Sequence, residues 1–213
     1  MCMKSYIKIC GISSLEQIKV AEKYRALWYG LVFFKKSPRN ISFEKAELLV
    51  KEAPKSIYPV AVTVNANEDI IKKIVDIGIT NIQLHGNETV EFCEYLKQKF
   101  NVKIFKGIGL EKEEDIIKAK KYNHVVDWVI FDKKDDFMFG GTGKNFNWNI
   151  LSKVDINLNY IISGGLTHKN VLKALTLTKA KGVDVSSGVE KEYGLKSNEL
   201  ISKFCNSVKL YER

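Results

Sequence analysis

The sequence predicts an α/β fold, a compact parallel eight-stranded (β/α)8 TIM barrel. Three observations predict it. Eight short apolar, β-rich runs recur along the chain; amphipathic helical patterns lie between them; and the loops after the seventh and eighth runs are built from serine and glycine. Strand and helix alternating in this way imply parallel strands joined by crossover helices, and eight such units close on themselves. The runner-up, an open doubly wound sheet, would use fewer strands and longer helices.

The strand-like runs are YIKICGI (6–12), ALWYGLVFF (26–34), IYPVAVTV (57–64), NIQLHG (81–86), VKIFKGI (102–108), VDWVIFD (126–132), NYIISGG (159–165) and GVDVSSG (182–188). Helical periodicity covers 14–25, 43–53, 67–77, 88–100, 111–122, 168–178 and 197–210. Ser14, Ser42, Asn67, Asn87 and Ser197 precede or open their runs as caps. Between the sixth and seventh strands only NWNILSKV is left to make a short helix. Trp28 and Tyr29 make the entry to the second strand bulky and are expected to fill the barrel bottom.

Composition narrows the class. The chain has 213 residues, 45% hydrophobic and 28% charged, which suits one globular domain spanning 1–213. No apolar run reaches the roughly 18 residues of a membrane span, and MCMKSYIK lacks a leader's apolar stretch, so a cytoplasmic protein is expected. Cys2, Cys10, Cys93 and Cys205 show no zinc-type spacing and are too sparse for a disulfide framework. His85, His124 and His168 show none either, so no metal is expected. The formal charge is +9, but the cations are nearly all scattered lysines, with arginine only at positions 25, 39 and 213. Without a basic stripe interleaved with aromatics, no nucleic-acid partner is expected. The charge instead favours small anionic substrates by steering.

In a parallel barrel, chemistry sits where strands end and their loops begin. That rule selects Cys10, Asn65, Gln83, His85, Lys106, Asp132, Ser163–Gly165 and Ser186–Gly188. Small residues after strands seven and eight let backbone N–H groups approach an oxyanion, and the pairing points to a phosphate site; plain turns are the alternative. Cys10 and Asp132 form the candidate acid/base pair. A thiolate is a competent base if its pKa falls towards neutrality; Lys8, two residues back on the same face, is placed to help, a solvated lysine or one paired elsewhere being the alternative. Against that, Cys10 reads equally as a small hydrophobe and Asp132 as a loop carboxylate or cap. A satisfied strand-end histidine is the simpler reading of His85. Arg39, isolated among lysines in KSPRNIS, reads comparably as a candidate carboxylate clamp or as a solvated surface arginine. The longest irregular segment, 132–147, carries GGTG (140–143), which lacks Walker spacing and reads as a flap.

Several blocks together resemble the phosphoribosylanthranilate isomerase family: KICGI (8–12), GLVFFKKSPRNIS (30–42), VAVTVN (60–65), IQLHGNE (82–88), GGTGKNFNW (140–148), ISGGLTHKNV (162–171) and DVSSGVE with GLKS (184–197). They are collinear and cover nearly the whole chain. The resemblance implies an enzyme of tryptophan biosynthesis that performs an Amadori rearrangement of N-(5-phosphoribosyl)anthranilate without a cofactor. It implies Cys10 as general base and Asp132 as general acid. Arg39 would hold the anthranilate carboxylate, and 163–165 with 186–188 would hold the phosphate. The expected substrate-binding set is Arg39, Gln83, His85, Gly141, Ser163, Gly164, Gly165, Ser186, Ser187 and Gly188. A monomer or homodimer acting on a phosphosugar is expected. Asn147 stands where family members usually carry Asp, and the related sugar isomerase of histidine biosynthesis has an Asp where Cys10 stands.

Overall fold

Eight parallel strands close into a barrel in sequence order, β1 pairing with both β2 and β8. The computed structural model describes residues 5–133, 148–152 and 157–211. The strands are β1 (Tyr6–Cys10), β2 (Trp28–Val32), β3 (Tyr58–Thr63), β4 (Asn81–Leu84), β5 (Lys103–Leu110), β6 (Trp128–Lys133), β7 (Tyr160–Ile162) and β8 (Gly182–Val185). The crossover helices are α1 (Leu15–Lys23), α2 (Phe43–Glu52), α3 (Glu68–Asp76), α4 (Val90–Phe100), α5 (Glu113–Lys120), the four-residue α6 (Asn149–Ser152) and α7 (Val171–Thr178). After β8 come a 3-10 turn (Ser187–Val189), an antiparallel pair β9 (Glu190–Glu192) and β10 (Leu195–Lys196), and then α8 (Asn198–Tyr211). No described helix is long and apolar enough to cross a membrane.

Period-two alternation sorts each strand's side chains. One face packs outward on the helices: Ile7 and Ile9, Tyr29 and Leu31, Ile82 and Leu84, Val129 and Phe131, Val183 and Val185 belong to one buried cluster with Ile18, Ala21, Ala174 and Phe204. The other face fills the barrel. At its N-terminal end Trp28, Val60, Phe105, Ile130 and Ile161 make a second apolar cluster, with Trp128 packed on it. Trp28 lies edge-on to Phe105 and Trp128, with centroids 5.2 and 5.5 Å apart. So Trp28 does fill the barrel bottom, whereas its neighbour Tyr29 faces the helix layer, because adjacent strand residues cannot share a face.

Ser14, Ser42 and Asn67 cap α1, α2 and α3, each side chain accepting a backbone N–H one turn on. Ser197 Oγ accepts from Leu200 N at the start of α8. At α4 the cap is Thr89 and not Asn87: Thr89 Oγ1 accepts from Phe92 N, while Asn87 donates its backbone N–H to Asn65 Oδ1. β5 runs past its expected end to Leu110, which leaves Lys106 inside the strand and not at the barrel mouth. Lys106 points away from the barrel axis, to Glu88 Oε2 at 3.0 Å and to the carbonyls of Leu84, Gly86 and Gly107. Glu88 in turn accepts from the backbone N–H of Asn65 and Gly86, tying the loops after β3 and β4 together. Lys106 therefore braces the scaffold around His85.

Candidate active site

At the C-terminal end of the barrel the inward side chains stop filling the axis and line a cavity that opens to solvent. Cys10, Gln83, His85, Asp132, Asp184 and Ser186 line it from the ends of four strands, β1, β4, β6 and β8, Val32, Val62 and Phe34 form an apolar wall, and Arg39 reaches in from the loop after β2. Ser163, Gly164, Gly165 and Ser187 line the same cavity from the loops after β7 and β8. The candidate acid/base pair, the candidate clamp and both small-residue loops thus share one space. Gly188 is not in the lining, but a Cβ on it would lie 1.8 Å from the Leu166 carbonyl oxygen. Its role is to let the two loops touch. Gly141, the GGTG segment and Asn147 lie outside the described residues.

Beneath Cys10, Lys8 is fully buried on the barrel axis and donates to Asp184 Oδ1 at 3.0 Å. A lysine and an aspartate inside an apolar barrel must pair, since an unpaired buried charge is costly. Burial works against the Lys8 ammonium, but Asp184 and Cys10 outweigh it and hold its pKa above the usual value. For Cys10 the condition of a pKa lowered towards neutrality is not met in the free site. Burial pushes the thiol up, and Asp184 adds to that, while Lys8 and Lys196 pull it down without prevailing. The free site holds Cys10 as a thiol at neutral pH, with an ammonium beside it.

His85 is nearly enclosed, and a Cβ at Gly107 would lie 2.5 Å from its Nδ1, so the bare backbone of β5 is what admits the ring. Gln83 Nε2 lies 2.9 Å from His85 Nδ1. His85 Nε2 lies 3.7 Å from Asp132 Oδ2. Burial, with the nearby ammonium groups of Lys106 and Lys8, lowers the His85 pKa to about 4. The imidazole facing Asp132 is therefore neutral. Asp132 Oδ1 accepts from the Lys133 backbone N–H at 2.8 Å.

Arg39 is buried and forked onto Glu190, Nε to Oε1 at 2.7 Å and Nη2 to Oε2 at 2.8 Å. Sequence reasoning passed over Glu190, Lys196 and Asp184. For Asp184 a signal existed: a lone acid in VDVSS and a lone base in YIKIC, both at inward positions of apolar strands.

A family profile described as N-(5'phosphoribosyl)anthranilate (PRA) isomerase matches residues 7–207. Relatives of that name include one from Bradyrhizobium diazoefficiens, 38% identical over 211 residues, covering 97% of this chain and 95% of the relative. Another, from Zymomonas mobilis, is 35% identical over 205 residues, covering 95% and 97%. Among solved structures, phosphoribosyl anthranilate isomerase from Thermotoga maritima superposes with a TM-score of 0.89 at 32% identity, covering 97% of this chain and 99% of that one. A structure of such an isomerase in complex with reduced 1-(o-carboxyphenylamino)-1-deoxyribulose 5-phosphate matches with a TM-score of 0.84 at 31% identity, with the same coverage. The chain belongs to the N-(5'-phosphoribosyl)anthranilate isomerase family.

Proposed function

We propose that this isomerase rearranges N-(5-phosphoribosyl)anthranilate with Cys10 as general base and Asp132 as general acid, as a cytoplasmic enzyme of tryptophan biosynthesis. The observation that carries the reading is the single cavity shared by Cys10, Asp132, Arg39 and the two serine-glycine loops. Asp132 delivers a proton to the furanose ring oxygen as the C1'–O bond breaks and the nitrogen lone pair forms the C1'=N bond. Cys10, as the thiolate formed when its S–H proton passes to solvent, then removes the C2' proton, and the electron pair moves through C1' to nitrogen. The enolamine tautomerises: a proton returns at C1', the C2' hydroxyl loses its own, and the ketose results with no net change in protons. The substrate nitrogen is the electron sink, so these steps call on no organic cofactor.

Three features support the roles. Lys8 stands by Cys10 and stabilises its thiolate whenever it forms, which makes the base reachable although burial disfavours it. Neutral His85 beside Asp132 adds no fixed positive charge that would hold the carboxylate ionised. Arg39 offers planar bidentate donors for the anthranilate carboxylate, and the apolar wall of Val32, Val62 and Phe34 suits its ring. The loops at 163–165 and 186–188 take the phosphate. The test is loss of anthranilate-type fluorescence from phosphoribosylanthranilate made in situ. Wild type clears the signal rapidly, while Cys10→Ala and Asp132→Asn are slowed by about 10²-fold or more, the scale of general acid–base catalysis. A Cys10→Ala enzyme with near wild-type turnover removes Cys10 from the mechanism.

A further inference from the structure

Glu190, at the start of β9, has no part in the chemistry above, yet its carboxylate accepts four hydrogen bonds beside the cavity-lining Arg39. Its side chain is 4% exposed. Oε1 accepts from Arg39 Nε at 2.7 Å and from Lys196 Nζ at 2.5 Å; Oε2 accepts from Arg39 Nη2 at 2.8 Å and from the Gly194 N–H at 3.1 Å. Lys196 Nζ also donates to the carbonyl and the hydroxyl of Ser186, at 2.9 and 3.1 Å. From the other side the Tyr193 ring stands 5.2 Å from the Arg39 guanidinium. The β9–β10 hairpin is thus built around this one acid.

The geometry has a directional consequence. A guanidinium has five N–H donors, and the Nε–Nη2 edge of Arg39 is committed to Glu190. The three donors left, two on Nη1 and one on Nη2, form a second edge that matches a carboxylate. Two cations against one carboxylate leave one net positive charge for an incoming anion. We propose that Glu190 is a positioning residue for carboxylate recognition: it grips one edge of Arg39 so that the other faces the substrate's carboxylate, and through Lys196 it links that clamp to Ser186. The inference rests on the reading of Arg39 given under Proposed function. A merely structural ion pair predicts something different, since its loss would not discriminate between ligands.

The experiment compares two probes by titration calorimetry: reduced 1-(o-carboxyphenylamino)-1-deoxyribulose 5-phosphate and the same compound lacking its ring carboxylate. Wild type, Glu190→Gln, Arg39→Ala and the double variant are titrated with both. Glu190→Gln weakens the carboxylate probe by about tenfold or more, leaves the other within about twofold, and adds nothing in the Arg39→Ala background. In turnover, KM rises by more than kcat falls. Equal weakening of both probes, no weakening of either, or a loss that persists without Arg39 overturns the proposal. If Arg39→Ala itself fails to discriminate, the clamp falls and takes the proposal with it. A discriminating Arg39→Ala beside an indifferent Glu190→Gln overturns the role of Glu190 alone. Should Glu190→Gln fail to fold, Glu190→Asp, which keeps the charge but shortens the reach, is read in the same way and shows a smaller loss of the same selectivity.

Discussion

His85 shows how a single enclosed side chain couples the site to stability. Its pKa of about 4 lies below the 6.5 of a free imidazole, chiefly because burial disfavours the charged ring and because the Lys106 and Lys8 ammonium groups repel it. The sign follows directly: as pH falls from 6.5 towards 4, the unfolded chain binds a proton that the folded chain refuses, and folding is progressively disfavoured. The full interval corresponds to about 3 kcal/mol. His85→Gln removes that titration, so urea midpoints at pH 7 and pH 4.5 should differ less for the variant than for wild type. Equal pH dependence in the two would show that the ring is not held neutral. The residue types of the site were legible from strand ends, because inward positions beside a loop are the only ones in a barrel with access to ligand. Their partners were not. Lys8 and Asp184 are 176 residues apart, and Arg39 and Glu190 are 151 apart; only barrel closure and the hairpin after β8 bring them together.

At the scale of elements, strands and helices follow from periodicity because each has one face to bury, and local chemistry sets their ends. Helix α4 is the instructive case. NETVEF offers both Asn87 and Thr89 as caps, and intrinsic preference puts Asn ahead of Thr. Tertiary contacts decide: Glu88 is drawn to Lys106 and to the Asn65 and Gly86 backbone, and the Asn87 N–H is spent on Asn65, which delays the helix to Val90. Thr89→Ala should therefore cost about 1 kcal/mol in denaturant unfolding, the usual worth of a cap, while Asn87→Ala costs a few tenths. The reverse order would mean that α4 starts two residues earlier in solution. The β9–β10 hairpin escaped a periodicity reading because EKEYGLK is short, charged and without an apolar face of its own; the Glu190 carboxylate organises it.

Across the whole molecule the barrel axis divides into three levels. Aromatic and branched side chains plug the N-terminal end, the Lys8–Asp184 pair occupies the middle, and the cavity opens at the C-terminal end. Apolar contacts at the bottom stabilise the closed sheet and touch no group of the proposed chemistry, so stability and activity are assigned to opposite ends of the same strands. Trp28 tests that division, since it is 6% exposed and meets Tyr6, Phe105 and Trp128 ring to ring. Trp28→Ala removes most of one aromatic from a packed interior and should lower stability by about 3–5 kcal/mol, measured by urea unfolding. At a temperature where the variant stays folded, kcat and KM should match wild type, because the cavity wall is made by the other ends of the strands. A fall in kcat there would mean that the cavity left by the indole propagates upward through Lys8 and Asp184 to Cys10, and that the middle level transmits strain between the ends.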